Sequence, residues 1–298
     1  MQYRRLGKTN LNVSVIGLGT WQFGGEWGKD FSQAEVDRIF DAARDCGINL
    51  IDTAECYGDH TSERLIGSAI ARDRSKWIVA TKFGHVFHSH LNRTDARTAA
   101  DAAMQIEASL KALKTDYIDL LQYHSIRFEE FDNDELSGLL LKMIQSGKVR
   151  HLGNSIGGQT RKNVDQVEAS TRRGVQAIQV IYNRLDRAPE ERVFPICQEQ
   201  DLGVLARVPL ASGFLSGKYK PGAQFGPSDV RAGQDRAALD EKLRHVEDIA
   251  RNEVPAGMDM AQWALAWCLK NPAVTCVIPG CKDVRQVQSN ARAAEIRL

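Results

Sequence analysis

The sequence contains no hydrophobic run near the roughly 20 residues that a membrane-spanning helix requires. It also lacks an excess of either charge, because 39 lysines and arginines nearly balance 38 aspartates and glutamates and leave a net charge of +1. The first ten residues, MQYRRLGKTN, are not followed by the apolar segment of a secretory signal. We therefore expect no nucleic acid and no membrane among its partners.

The cysteines lack any C-x-x-C pair and any regular spacing. Disulfide frameworks and zinc ribbons depend on such spacing, so neither is expected here. A protein with scattered cysteines fits the reducing cytoplasm, which we predict as its location. The six cysteines stand at positions 46, 56, 197, 268, 276 and 281.

Short apolar runs alternate with amphipathic stretches along the whole chain. In residues 33–47, for example, Val36, Ile39, Phe40 and Ala43 recur at the spacing of a helix that buries one face. Comparable helical patterns follow each apolar run, and the runs themselves indicate strands. The predicted strands are 13–19, 48–52, 77–82, 117–124, 149–155, 175–182, 203–208 and 275–280.

Strands that are joined by helices run parallel, and they close either as an open doubly wound sheet or as an eightfold barrel. Repeats of about 30–35 residues without a linker favour the barrel. We therefore expect one α/β domain over residues 1–298, a (β/α)8 TIM barrel. The segment 3–13 is expected to form an N-terminal β-hairpin over the barrel bottom, and the glycine-rich residues 209–238 a long functional loop after the seventh strand.

Polar side chains follow three neighbouring strands where each strand ends. Asp52 ends the second predicted strand, Lys82 the third and His124 the fourth, and Tyr57 lies in the loop after the second. Barrel enzymes carry their active sites at the carboxyl ends of the strands. Each residue alone could be an ordinary surface or strand-end residue, but the four together indicate a catalytic site.

This set of residues suits proton transfer to a carbonyl oxygen. A phenol has a pKa of about 10, and a nearby ammonium lowers it. Lys82 would lower the pKa of Tyr57, and Asp52 would keep Lys82 charged. His124 would orient the carbonyl oxygen. Tyr57 is thus the expected general acid for carbonyl reduction and general base for alcohol oxidation.

The sequence resembles the aldo-keto reductase family from end to end. The motifs that carry the resemblance fall in the family's order: GLGTW (17–21), INLIDTAECYG (48–58), ATKFG (80–84), TDYIDLLQYH (115–124), GKVRHLG (147–153), IQVIYN (178–183), LSGKY (215–219) and VIPG with QVQSN (277–290). The resemblance implies a barrel that binds NADP(H) and transfers hydride to an aldehyde or ketone. It also implies a catalytic tetrad of Asp52, Tyr57, Lys82 and His124.

The glycine-rich run GLGTWQFG, residues 17–24, lacks the spacing of a G-x-G-x-x-G dinucleotide fingerprint, and we reject that interpretation. By resemblance, a different set of residues holds the cofactor. Lys282 is the single cation at the adenosine end and favours NADP(H), which leaves NAD(H) as the weaker alternative. The set comprises Gly19, Thr20, Trp21, Asp52, Ser155, Gln179, Arg207, Pro209, Leu210, Ser212, Gly213, Leu215, Lys218, Gly280, Lys282, Gln286 and Asn290.

The sequence departs from the family pattern at two cofactor positions. Ile156 stands where asparagine is commonest, and Arg207 stands where an aromatic residue often stacks on the nicotinamide. A planar guanidinium can also stack on a ring, and the sequence resembles a bacterial branch of the family with this arginine.

Aromatic residues near the predicted site indicate an apolar substrate pocket. Trp21, Trp27 and Phe83 are expected to line it over the nicotinamide. The nearby run HVFHSH, residues 85–90, offers three histidines without an acid or cysteine, and we expect no metal there.

Three functions compete. The leading one is a reductase for a small carbonyl compound, acting as a monomer or weak homo-oligomer. The second is a cofactor-binding regulatory subunit, since the fold also resembles potassium-channel β subunits. A hydrolase would need a nucleophile or metal that the sequence does not offer.

Overall fold

The computed structural model describes residues 1–298 and contains twelve β-strands and ten α-helices. The strands are β1 (Tyr3–Arg5), β2 (Asn12–Ser14), β3 (Leu18–Gly19), β4 (Leu50–Asp52), β5 (Ile78–Phe83), β6 (His85–Ser89), β7 (Asn92–Asp95), β8 (Ile118–His124), β9 (Val149–Ser155), β10 (Val175–Ile181), β11 (Gly203–Arg207) and β12 (Cys276–Val277). The helices are α1 (Gln33–Asp45), α2 (Thr61–Ile70), α3 (Ala99–Leu113), α4 (Phe128–Phe131), α5 (Asp134–Gln145), α6 (Val164–Glu168), α7 (Val193–Glu199), α8 (Arg236–Asn252), α9 (Met260–Lys270) and α10 (Val284–Arg292).

Eight parallel strands form the central sheet. They pair in the order β3, β4, β5, β8, β9, β10, β11 and β12. Parallel bridges from Ile16 to Val277 and from Gly19 to Gly280 join the first strand to the last. The sheet is therefore a closed ring, which confirms the predicted (β/α)8 barrel and excludes the open doubly wound sheet.

The helix α1 shows how the sequence builds the outer layer. Its buried residues include Val36, Ile39, Phe40 and Ala43, the positions that the apolar spacing predicted. The Ser32 side chain accepts from the Glu35 backbone amide and the Glu35 side chain accepts from Ser32, a capping box that fixes where the helix begins.

The core has two layers. The larger lies between strands and helices, and the smaller fills the barrel interior with Leu50, Ala80, Leu120 and other inward-facing residues. Leu6 and Val13 belong to this inner cluster. Both come from the N-terminal segment in which β1 and β2 pair antiparallel, so the predicted hairpin covers the barrel interior.

The hairpin β6–β7, the short helix α4 and the helix α8 were not predicted. Residues 85–95 form the antiparallel hairpin β6–β7 after the third barrel strand. The helix α8 follows the loop after β11, begins behind the N-cap Asp235 and buries Leu239, Leu243 and Val246 on one face. The irregular region therefore ends at Asp235 rather than at residue 238. Neither α8 nor any other helix is long and apolar enough to cross a membrane.

At Gly19 the first barrel strand lies very close to the backbone of the last strand. A Cβ atom placed on Gly19 would lie 2.6 Å from the carbonyl oxygen of Ile278, a backbone atom that cannot rotate away. The contact between the first and last strands therefore requires the absence of a side chain at Gly19.

We predict that Gly19→Ala lowers the free energy of unfolding of the cofactor-free protein by about 1–3 kcal/mol, a typical cost of overpacking. Gly226→Ala is the matched control, because a Cβ on Gly226 meets no atom within 4 Å. The control should stay within about 0.5 kcal/mol of wild type. Urea denaturation checks both, and equal stability of the two variants would contradict the closure argument.

Candidate active site

A cavity of about 520 Å³ opens at the carboxyl ends of the barrel strands. Asp52 is the last residue of β4 and His124 the last of β8, and both line this cavity together with Tyr57. Lys82, near the end of β5, lies directly beneath, with 1% of its surface exposed. The structure thus brings together the four residues that the strand ends indicated.

Lys82 is held in a buried ion pair. Its Nζ atom lies 2.9 Å from Asp52 Oδ2 and donates to the Thr53 carbonyl oxygen at 2.7 Å. Burial by itself lowers the pKa of Lys82, but the interactions with Asp52 and Tyr57 together outweigh it, and the pKa lies above its usual value. Lys82 is therefore a fixed positive charge under the cavity floor.

The second oxygen of Asp52 is also fully used. Asp52 Oδ1 accepts from Gln179 Nε2 at 2.6 Å and from Gln122 Nε2 at 3.1 Å. Gln122 is fully buried, and it was missed in the sequence. The signal was there, because Gln122 stands two residues before His124 on the same strand and therefore faces the same side of the sheet.

Tyr57 completes the buried group. Lys82 Nζ donates to its hydroxyl oxygen at 3.3 Å. Burial raises the pKa of Tyr57 to about 12, and the opposing attraction of Lys82 only reduces this rise. The expectation that Lys82 brings the pKa below its usual value is therefore wrong for the cofactor-free protein, where desolvation of the phenolate is the larger effect. The phenol stays protonated near neutral pH.

His124 stands beside Tyr57, with ring centroids 6.2 Å apart and planes at 82°. Burial first, and then the positive charge of Lys82, hold the pKa of His124 well below its usual value. The imidazole is therefore uncharged. Its Nδ1 atom lies 3.7 Å from Cys56 Sγ and 3.8 Å from the Glu55 carboxylate.

The cavity extends from these residues toward the last strand and α10. It is lined by nearly the whole set of predicted cofactor residues. The lining includes Gly19, Thr20, Trp21, Asp52, Ser155, Gln179, Arg207, Pro209, Leu210, Ser212, Gly213, Lys218, Gly280, Lys282, Gln286 and Asn290. Leu215 is the exception, because it is fully buried and packs in the cluster with Leu243 and Met260 beneath the loop.

The two departures from the family pattern adjoin each other. Arg207 lines the cavity, and its Nη2 atom donates to the carbonyl oxygen of Ile156 at 3.1 Å. Ile156 itself is fully buried. The backbone at Ile156 thus fixes the guanidinium at the edge of the cavity. Next to it, Ser155 Oγ donates to Gln179 Oε1 at 3.2 Å.

The loop after β11 has an unusual backbone where it meets the cavity. Ala211, Ser212 and Gly213 have φ angles of +48°, +59° and +89°, in the left-handed region that side chains disfavour. The amides of Ala211 and Gly213 donate within the loop, to the carbonyl oxygens of Val208 and Leu210 at 2.9 Å each. Ser212 and Gly213 both line the cavity, so this stretch can contact a phosphate group bound there.

Cations gather at the same end. Lys218, Arg231 and Lys282 all line the cavity. Arg231 was not predicted; it pairs with Asp229 and donates to the Ser212 carbonyl oxygen at 3.2 Å. Burial, and then the adjacent Arg231, lower the pKa of Lys282. A bound anion offsets this repulsion between the two cations.

Two of the three predicted substrate-pocket residues line the cavity. Trp21 and Trp27 meet edge to face with centroids 5.2 Å apart, and Trp21 lies 6.0 Å from the Tyr57 ring. Phe83 does not reach the cavity. It is 1% exposed and packs against Tyr123 with centroids 5.1 Å apart.

An ion pair borders the aromatic wall. Arg93 of the hairpin β6–β7 lines the cavity and binds the buried Glu26, which also accepts from Trp21 Nε1. The unpredicted hairpin thereby fixes the position of Trp21. The three histidines of the hairpin do not converge on one point: His85 packs against His124 with centroids 4.8 Å apart, and His88 bonds to Thr94 at 2.8 Å.

The chain is similar to curated proteins over nearly its full length. It is 35% identical to the uncharacterized oxidoreductase YrpG of Bacillus subtilis, over 100% of this chain and 92% of that protein. It is 30% identical to a probable voltage-gated potassium channel subunit beta of Arabidopsis thaliana, over 99% of this chain and 92% of the other. It is also 30% identical to the NADH-specific methylglyoxal reductase of Escherichia coli, over 98% of this chain and 93% of that enzyme.

Solved structures show the same likeness. The holo form of the aldo-keto reductase AKR11C1 from Bacillus halodurans superposes with a TM-score of 0.82 at 29% identity, over 100% of this chain and 92% of that one. The model of the Aldo/keto reductase family matches residues 15–298. The chain therefore belongs to the aldo/keto reductase family of oxidoreductases.

Proposed function

We propose that the protein catalyses the reversible, NADPH-dependent reduction of a small aldehyde or ketone to the alcohol. The observation that carries this proposal is the Tyr57 hydroxyl at the cavity floor, 3.3 Å from the ammonium of a buried lysine. Family membership and the likeness to a holo aldo-keto reductase support a nicotinamide cofactor.

The residues along the cavity fit such a cofactor. The amide hydrogens of Gln179 are bound to Asp52 and Gln122, so Ser155 Oγ and Gln179 Oε1 can serve the carboxamide as acceptors. Arg207 offers a planar surface beside the ring. Ser212 and Lys218 line the cavity and offer a hydroxyl and an ammonium group to the pyrophosphate. When bound, the nicotinamide supplies the hydride for the carbonyl carbon.

The proton for the carbonyl oxygen comes from Tyr57. Its raised pKa keeps the hydroxyl protonated, which is the form a donor needs. Hydride addition to the carbonyl carbon leaves the carbonyl oxygen as an alkoxide, which is far more basic than a phenolate, so proton transfer from Tyr57 is downhill. Lys82 stabilises the phenolate left behind, and Asp52 keeps Lys82 charged.

The preference for NADPH rests on charge. The adenosine 2′-phosphate, which NADH lacks, needs a cationic site, and the cavity is lined by Lys218, Arg231 and Lys282. Arg231 is already paired with Asp229. Lys282 Nζ has the Trp27 carbonyl oxygen, at 3.4 Å, as its only hydrogen-bond partner and can therefore bind the phosphate. The Escherichia coli relative is named as NADH-specific, so similarity alone does not decide the cofactor.

A cofactor-binding regulatory subunit is the second candidate. The Arabidopsis thaliana relative is named as a probable potassium channel subunit beta. The intact Tyr57–Lys82–Asp52 group favours catalysis over this role, since a purely regulatory site has no need of a buried proton donor. Tight cofactor binding without turnover of any carbonyl compound would favour the regulatory role.

We predict that Tyr57→Phe abolishes NADPH consumption with an activated aromatic aldehyde, a loss of at least about 100-fold, because the proton donor is removed. The affinity for NADPH should change little. Rate measurements and cofactor titration by fluorescence check the two halves of this prediction.

Tyr123→Phe is the matched control for this variant. It removes a buried hydroxyl that has no hydrogen-bond partner and lies outside the cavity. The control should keep wild-type turnover. Activity retained in Tyr57→Phe would rule out Tyr57 as the proton donor.

We predict that Lys282→Ala weakens NADPH binding about tenfold or more and NADH binding less, because a charge-assisted contact contributes about 1.5–3 kcal/mol. Lys111→Ala on the exposed face of α3 is the control and should change neither affinity. Dissociation constants for both cofactors decide the matter. An equal loss for NADPH and NADH would remove the phosphate-binding role from Lys282.

A further inference from the structure

Glu55 is a buried carboxyl group behind the active-site histidine. It is 3% exposed, and its Oε1 atom accepts from the backbone amide of His85 at 3.0 Å. Its Oε2 atom is buried and has no hydrogen-bond partner. That unpartnered oxygen lies 3.8 Å from His124 Nδ1. Buried polar atoms are rarely left unpaired, so the contact needs an explanation.

The geometry places one partner within reach of Oε2. A shift of about 1 Å would bring His124 Nδ1 to hydrogen-bond distance, and active-site contacts in ligand-free proteins are commonly this loose. Glu55 cannot retreat, because Oε1 is fixed by a backbone group. We therefore expect Glu55 Oε2 and His124 Nδ1 to form a hydrogen bond when the site is occupied.

We propose that Glu55 and His124 share one proton, and that this proton makes His124 a hydrogen-bond donor toward the cavity. Glu55 is thus a positioning residue that acts through the imidazole. The inference rests on the proposed carbonyl reduction, in which a donor on His124 orients the substrate oxygen.

The reasoning follows from the two ring nitrogens. When the pair holds the shared proton, Nδ1 is engaged with the carboxyl group and Nε2 carries a hydrogen. This is true whether the shared proton sits on the carboxyl oxygen or on Nδ1. When the shared proton is lost, the remaining ring hydrogen moves to Nδ1 to serve the carboxylate, and Nε2 becomes an acceptor. An acceptor repels a carbonyl oxygen.

The surroundings favour the uncharged form of the pair. Burial raises the pKa of Glu55, and burial lowers the pKa of His124. Both directions favour the shared proton on the carboxyl group over the shared proton on Nδ1. The two sites titrate as one unit. The charged and titratable groups around the pair are Lys82, Arg93, Arg207, Asp52, Glu26, His60, His85, Cys56 and Tyr57.

Cys56 is the competing partner of Nδ1. Burial raises the pKa of this thiol, so it remains protonated and adds no pH-dependent step. The Glu55, Cys56 and His124 ligand atoms lie within 4.8 Å of one another, as they would around a metal. The positive charges of Lys82 and Arg93 beside them oppose a divalent cation.

The first test is nuclear magnetic resonance of the cofactor-free protein labelled with ¹⁵N at histidine. It needs no turnover, so its outcome is independent of the proposed function. His124 is assigned by the signal that disappears in His124→Gln. We expect hydrogen on Nε2 at neutral pH and a single step to Nδ1 as the pH rises to about 10. A His124 that keeps one tautomer throughout would overturn the proposal.

Variants then assign the step to Glu55. Glu55→Gln keeps the acceptor for the His85 amide and cannot release a proton, so the tautomer step should vanish. Cys56→Ala should retain it. Glu63→Gln is the matched control, since Glu63 is a fully buried carboxylate that bonds His60 away from the cavity. The same step in Glu55→Gln as in wild type, or its loss in Cys56→Ala alone, would contradict the shared proton.

The kinetic test follows kcat/KM for aldehyde reduction at saturating NADPH. In wild type it should fall about tenfold per pH unit once the pair loses its proton. In Glu55→Gln it should vary by no more than about twofold over the same range. Glu63→Gln should reproduce the wild-type limb. An unchanged alkaline limb in Glu55→Gln would assign the titration to another group and refute the role of Glu55 in substrate orientation.

Discussion

The buried ion pair between Lys82 and Asp52 is the constraint on which the site depends. An ammonium that is 1% exposed cannot remain charged without a partner, and removal of one partner from such a pair typically costs about 3–5 kcal/mol. Gln122 and Gln179 complete the hydrogen bonds of the carboxylate. The residues of this network come from β4, β5, β8 and β10, so the barrel must close correctly before the charge can be accommodated.

The same burial keeps the Tyr57 hydroxyl protonated. Lys82 stabilises a phenolate, but loss of water around the hydroxyl has the larger effect, and the pKa rises to about 12. A phenol that holds its proton is ready to protonate an alkoxide, and it must first lose that proton before it can accept one from an alcohol. In the proposed reaction, this protonation state suits reduction better than oxidation. Under the same proposal, Lys82 contributes at the moment of transfer, when negative charge appears on the phenol oxygen.

The sequence predicted the barrel and the convergence of Asp52, Tyr57, Lys82 and His124, because parallel strands bring their carboxyl ends to one rim. The prediction was wrong for residues whose side-chain direction decides whether they reach the cavity. Phe83 follows Lys82 on the same strand, and the two-residue period of a strand turns it to the opposite face, against Tyr123. Leu215 was placed in the cavity from its motif alone, but its side chain packs beneath the loop.

Other parts of the site depend on contacts between distant segments. Arg231 reaches the cavity because it pairs with Asp229 and with the Ser212 backbone, and no local pattern marks it. Glu55 stands inside a motif that was quoted for its neighbours, and its contact with His124 exists only in the folded barrel. The helix α8 did carry a local signal, in the cap at Asp235 and the spacing of its leucines, and glycines nearby obscured it.

The most direct test of the account is the fate of deuterium from NADPH that carries deuterium at both C4 positions of the dihydronicotinamide. The wild-type protein is incubated with labelled cofactor and an activated aromatic aldehyde, and the alcohol is analysed by mass spectrometry. The account predicts deuterium on the carbinol carbon, since the cavity proposed for the cofactor adjoins the Tyr57 hydroxyl. Alcohol formed without deuterium, or no alcohol from any carbonyl compound despite bound NADPH, would contradict it.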